Sequence, residues 1–99
     1  MDFTWDARKN RRNVKLHGIA FEDAARIFDG PTVERVDDRF DYGEERVYAI
    51  GVVEGIEITV VYADVVGEGG EVVRRLISAW KAVKHEREAY WEGIGEVGD

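Results

Sequence analysis

The sequence has no cysteine, one proline (Pro31) and only two histidines (His17 and His85). The missing thiols exclude a disulfide framework and a thiolate metal site, and two histidines alone rarely build a metal centre, so no metal is expected. A reducing, cytoplasmic setting suits such a chain. No apolar run follows the charges of MDFTWDARKN, and no segment approaches the roughly 20 apolar residues that cross a bilayer, so neither secretion nor membrane insertion is expected. The glycines of GEGG, residues 67–70, lack the strand, spacing and helix of a phosphate-binding loop, which argues against a nucleotide cofactor. Repeats, low-complexity tracts and linkers are also missing. The 99 residues therefore read as one domain, 1–99, able to bury about 60–65% of its unfolded surface around one core.

What the chain does have is charge, unevenly spread. The net charge is −7, which at first disfavours a nucleic-acid partner. Residues 1–30 carry six basic and five acidic side chains, residues 31–70 three and ten, and residues 71–99 five and six. The acidity belongs to the middle. By contrast ARKNRRNVKLH, residues 7–17, holds Arg8, Lys9, Arg11, Arg12 and Lys15 with no acid among them.

The pattern of residue types predicts the order β, α, α, β, β, β, β, α. Phe3 to Trp5 have strand character, Asp6 suits the N-cap of a helix through residue 17, and Gly18 suits its left-handed end. Phe21, Ala24, Ala25 and Phe28 recur at helical spacing up to the Gly30-Pro31 stop. TVERVD is a modest strand and DDRFDYGEE a polar loop. RVYAIGVV and IEITVVYA, joined by Glu54-Gly55, form a hairpin, with Ile56, Ile58, Val60 and Tyr62 on one face. DVVGEGG reads as a mobile turn. In EVVRRLISAWK, strict alternation sets Val73, Arg75, Ile77 and Ala79 against Val72, Arg74, Leu76 and Ser78, one cation per face. VKHEREAYWEG reads as a last helix ended by Gly93, with Glu86 supplying half a capping box to Val83, and residues 93–99 as a flexible tail. The fold class expected is α+β, a small antiparallel sheet with two N-terminal helices and one C-terminal helix packed on it.

Trp5-Asp6, Lys9, Asn13, His17-Gly18, Phe21, Glu22 and Ala24, then Gly43 to Arg46 with Ile50-Gly51, then Arg75 to Ala79, Lys81, Glu86, Arg87 and Tyr90 form an ordered set over about residues 3–92. In that set the chain resembles the BrnT family of bacterial toxins. The resemblance implies a RelE-like fold, an endoribonuclease that arrests translation, a BrnA-type antitoxin encoded beside it, and operator DNA bound only by the toxin–antitoxin complex. Three positions depart from the family pattern: Leu16 stands where lysine is usual, Trp80 where arginine is usual, and Val83 where threonine is usual.

Metal-independent RNA cleavage needs a base for the 2′-hydroxyl, donors for the crowded phosphoryl oxygens and an acid for the departing 5′-oxygen. Arg46 and Arg75, on neighbouring predicted strands, are candidates to clamp the scissile phosphate, because guanidinium offers two parallel hydrogen bonds. The alternative is pairing with Glu44, Glu45 or Asp64. His17 is a candidate acid or base, or else a cap on the last helical carbonyls. Lys81 reaches a phosphate or is an idle surface lysine. Tyr90 is either catalytic or part of the last helix's inward stripe. His85, early in a charged helix, reads as solvated.

Arg8, Arg11, Arg12 and Lys15 fall along one helix face, where like charges at i, i+4 cost a few tenths of a kcal/mol each. RNA, an acidic antitoxin, or the chain's own loop acids Asp37, Asp38, Asp41, Glu44 and Glu45 would offset them. Trp80 stacks on a base, packs on an antitoxin, or is core. Two functions remain open. One is a metal-independent endoribonuclease toxin; the other is a toxin-derived binding module that keeps only its antitoxin and operator contacts.

Overall fold

The computed structural model describes residues 1–98, with side chains through residue 95. In chain order the elements are β1 (Asp2–Thr4), α1 (Ala7–His17), α2 (Phe21–Ala24) running into a 3₁₀ turn (Ala25–Asp29), β2 (Val33–Val36), β3 (Val47–Val53), β4 (Ile56–Val66), β5 (Val72–Lys81) and α3 (Lys84–Gly98). The predicted order holds. So do the helix caps: the Asp6 carboxylate accepts the Arg8 and Lys9 amides at 2.7 and 3.1 Å, and Gly18 closes α1 at φ 72°. The first helix anchors the second, since Asn10 Oδ1 accepts the Phe21 amide at 2.9 Å.

Five strands form one sheet in the order β1-β5-β4-β3-β2. The sheet is mixed rather than purely antiparallel, because β1 lies parallel to β5, pairing residues 2–4 with 73–75. The connection between them, residues 5–71, carries α1, α2 and three strands, well beyond the dozen residues that a parallel return requires. Glu54 and Gly55, at φ 51° and 81°, turn β3 into β4, and the pairing runs from Val53↔Ile56 to Val47↔Tyr62.

Further expectations change: Asp64 to Val66, expected in the mobile turn, extend β4 and pair with Val72 to Arg74. The segment from Phe21 tightens into 3₁₀ after Ala24, which brings Ile27 as well as Phe21, Ala24 and Ala25 into the core. The last helix does not stop at Gly93. There, a Cβ would lie 2.8 Å from Val33 Cγ2, so the glycine serves close packing of α3 on β2 and the helix continues through the expected tail; Asp99 lies outside the described residues.

The sheet has two unlike faces. On one, α1, α2 and the 3₁₀ turn close a core of Phe21, Ile27, Val60, Tyr62, Leu76 and Ala79. On the other, α3 covers a smaller cluster of Ile50, Ala82 and Tyr90 and leaves the remaining strands uncovered by any helix. Between Val61 and Tyr62 the β4–β5 register slips, so that Val61 faces Ser78 and Tyr62 faces Leu76, with Ile77 the extra residue. That bulge resets the alternation. Leu76 and Ala79 share the closed face, and Arg75, Ser78 and Trp80 share the open one, whereas strict alternation had separated Arg75 from both Ser78 and Trp80.

Candidate functional site

The open face carries the convergence expected of Arg46 and Arg75. Arg46 Nε donates to Glu44 Oε2 at 3.0 Å and Arg75 Nη2 donates to the same oxygen at 2.6 Å. The two guanidiniums thus meet on one carboxylate. Arg46 also lies over the Tyr42 ring, 4.1 Å from its centroid, which fixes its approach. Hydrogen bonding from Arg46, reinforced by the Arg75 charge, holds the Glu44 carboxyl below its ordinary range. The alternative of self-pairing is therefore realised, but at an accessible surface: the side chains of Arg46, Arg75 and Glu44 are 21%, 34% and 30% exposed. Two cations against one anion leave a surplus positive charge.

Beside this clamp is a hollow of about 210 Å³, walled by Arg35, Arg39, Tyr48, Trp80, His85 and Glu86. Val33 and Ile50 give it an apolar base. Strand register brings these residues together, because Val33 pairs with Ile50, Arg35 with Tyr48, and Trp80 with Thr59, which in turn pairs with Ile50. The bidentate pair from Arg39 Nε and Nη2 to Asp37, at 2.7 and 2.9 Å, orients Arg39. Asp37 is itself buried, and hydrogen bonding from Arg39 holds its carboxyl below the usual value. Glu86 Oε1 accepts the Val83 amide at 2.8 Å, completing the half capping box, and also the Trp80 indole N–H at 3.1 Å.

His17 and Trp80 meet at the rim, with ring centroids 6.3 Å apart. Helix α1 reaches this position because the β5 edge beyond β1 is finished by a side chain. Buried Asn13 donates from Nδ2 to the Ala79 carbonyl at 2.9 Å and accepts the Ala79 amide at 3.1 Å, in place of another strand. A shallow groove lined by Lys9, Arg12, Leu16, His17 and Ser78 follows this seam.

Other sequence candidates lie elsewhere. Lys81 pairs with Ile58 and lines a hollow with Asp23, Arg26 and Glu54, on the sheet face away from Arg75. The bulge puts it there. Tyr90 is buried in the smaller cluster, its hydroxyl donating to the Pro31 carbonyl at 3.2 Å, which is the inward-stripe role. Arg8, Arg11, Arg12 and Lys15 form no ion pair among the described residues. None of the loop acids pairs with them among the described residues: Asp37 is taken by Arg39 and Glu44 by Arg46 and Arg75, while Asp38, Asp41 and Glu45 form no ion pair. His85 belongs to the hollow rather than only to solvent. Sequence reading missed Arg35, Arg39 and Tyr48; Tyr48 was the findable one, two residues from Arg46 and so on its face. Among the described residues no cluster of three metal-ligating side chains occurs, and no helix is long and apolar enough to cross a membrane.

Residues 5–86 match the family model described as ribonuclease toxin, BrnT, of type II toxin-antitoxin system. No curated protein matches the chain.

Proposed function

The chain belongs to the BrnT family of ribonuclease toxins of type II toxin–antitoxin systems, a membership that implies an antitoxin partner, and from that premise we propose that it is itself an endoribonuclease working on the open sheet face. The observation that carries this reading is the convergence of Arg46 and Arg75 on a single oxyanion, that of Glu44. A phosphodiester oxygen has the same charge and the same demand for guanidinium donors as that carboxylate oxygen. RNA entering the face displaces Glu44 and takes its place. As the 2′-oxygen attacks phosphorus, negative charge builds on the equatorial oxygens, and donors already aimed at it stabilise the crowded species without reorganising.

The proton steps require groups suited to exchange near neutral pH, for which histidine is the ordinary choice. The open face has one on each side of Trp80: His17 on the α1 rim and His85 in the hollow toward α3. We assign them jointly to the base and acid steps, and the pH profiles of His17→Asn and His85→Asn separate the two. Arg8, Arg11, Arg12 and Lys15, which form no ion pair among the described residues, extend the positive surface for the RNA backbone. The RelE-like fold, the BrnA type of the antitoxin, operator binding by the joint complex and a cytoplasmic site of action belong to the same proposal.

The deciding experiment is incubation of the purified chain with RNA in EDTA, beside Arg75→Ala. Cleavage by the parent that the variant loses while keeping the parent's thermal midpoint supports the reading. An inert parent that still binds an antitoxin reduces it to a binding module.

A further inference from the structure

We propose that the hollow beside the clamp is a nucleobase subsite, in which one purine of the RNA strand stacks on Trp80 while a phosphate further along the same strand lies between Arg46 and Arg75. This inference rests on the reading of the open face as the RNA-cleaving surface and specifies what that face recognises.

Four observations carry it. The first is register: Arg75 pairs with Ala63 and Trp80 with Thr59, four residues apart on β4 and so about 13 Å along one face, with Tyr48 in the row between them, a span that one RNA strand covers over neighbouring nucleotides. The bulge at Ile77 puts Trp80 on this face with Arg75, so the clamp and the indole address one strand of RNA. The second is size. At about 210 Å³ the hollow has room for about seven waters at ~30 Å³ each, enough for a flat bicyclic base but below the ~300 Å³ where pockets for larger ligands begin.

The third is the state of the indole. The only polar group of Trp80 is committed to Glu86 at 3.1 Å, and Glu86 is itself held by the Val83 amide. The ring is pinned in place and has only its π-surface to offer, which is the requirement of a stacking platform. The fourth is the polar complement. Glu86 Oε2 and the Arg35 guanidinium make no hydrogen bond or ion pair among the described residues, and Arg39 is oriented into the wall by Asp37. One acceptor and two guanidiniums around one aromatic face match a base edge that carries both amino hydrogens and ring or keto acceptors.

The experiment uses the full chain and short RNAs made uncleavable by 2′-O-methylation, each lacking the base at one position in turn, with affinity read by fluorescence anisotropy. At a single position, base removal weakens binding by about 10-fold, and a purine there binds more tightly than a pyrimidine. Trp80→Leu loses that sensitivity, while Trp80→Phe restores most of it. Arg35→Ala, at an exposed side chain, narrows the purine preference and guards against misreading a folding defect. The subsite is refuted if base removal is without effect at every position, or if Trp80→Leu weakens intact and abasic strands equally. Cleavage of unmodified RNA by the parent, and its loss in Arg75→Ala, tests the ribonuclease reading separately; a parent that binds no RNA overturns both.

Discussion

Arg74 and Arg75 are neighbours in the chain and opposites in the fold. Arg74 points to the closed face, gripping Asp64 through two hydrogen bonds at 2.8 and 2.9 Å and lying over the Tyr62 ring at 4.0 Å and the Phe28 ring at 4.8 Å. There the arginine has a carboxylate to itself, and the guanidinium also serves as a lid on aromatic carbon. Arg75 points to the open face, where it shares one carboxylate with a second arginine. The same residue type in the same strand is structural where it has a carboxylate to itself and packs on aromatic rings, and a candidate for function where two cations share one carboxylate at an accessible surface. A pairing distance alone does not separate these roles.

The comparison is broken most severely by removing the open-face cation. Arg75→Ala is expected to lower RNA cleavage by about 10²- to 10³-fold, the usual loss for one donor to a developing oxyanion, with little change in thermal midpoint. Asn13→Ala attacks the seam between the faces. It leaves the Ala79 amide and carbonyl and the Ile19 carbonyl without their partner and should cost about 3 kcal/mol in denaturant titration. Arg74→Ala is expected to do the reverse of Arg75→Ala, costing about 1–2 kcal/mol of stability, discounted for the partial exposure of Asp64, while cleavage per folded molecule stays within about 2-fold. Glu44→Gln separates affinity from stability: RNA binding tightens by about 10-fold, as the competing charge is removed, and the thermal midpoint falls slightly.

The smallest effect is in acid. Glu44 and Asp37 both titrate below their ordinary values when folded, so each contributes stability that is present above the ordinary carboxylate range and is lost as pH falls through the depressed folded values. The midpoint should hold steady near neutrality and drop in acid, less steeply in Glu44→Gln.

The local devices were legible because they are local. Asp6, Gly18, the Glu54-Gly55 turn and the Glu86 reach to Val83 each act within a few residues, and the strands show in their β-branched runs. Arg46 and Arg75 were identifiable as a pair from the family pattern, but not as strand neighbours: β4 lies between β3 and β5, and the two side chains meet across it on Glu44. The bulge was not legible, because counting by twos assumes an unbroken ladder. One inserted residue at Ile77 moved Trp80 onto the face of Arg75 and sent Lys81 to the far side. The hollow was also illegible, being assembled from β2, β3, β5 and α3, whose contributors are up to about fifty residues apart; Arg35 and Arg39 drew no notice and His85 read as solvated until topology brought them together. Gly93 read as a stop because glycine's role in close packing depends on a neighbour, Val33, sixty positions away.

The central claim is that the site held by the Glu44 carboxylate is a phosphate site. A crystal structure of the chain bound to a 2′-O-methylated RNA tests it most directly. The account predicts a backbone phosphate between Arg46 and Arg75 with Glu44 swung out. A strand lying instead along Arg8, Arg11, Arg12 and Lys15, with the Arg46–Glu44–Arg75 bridge intact, contradicts it.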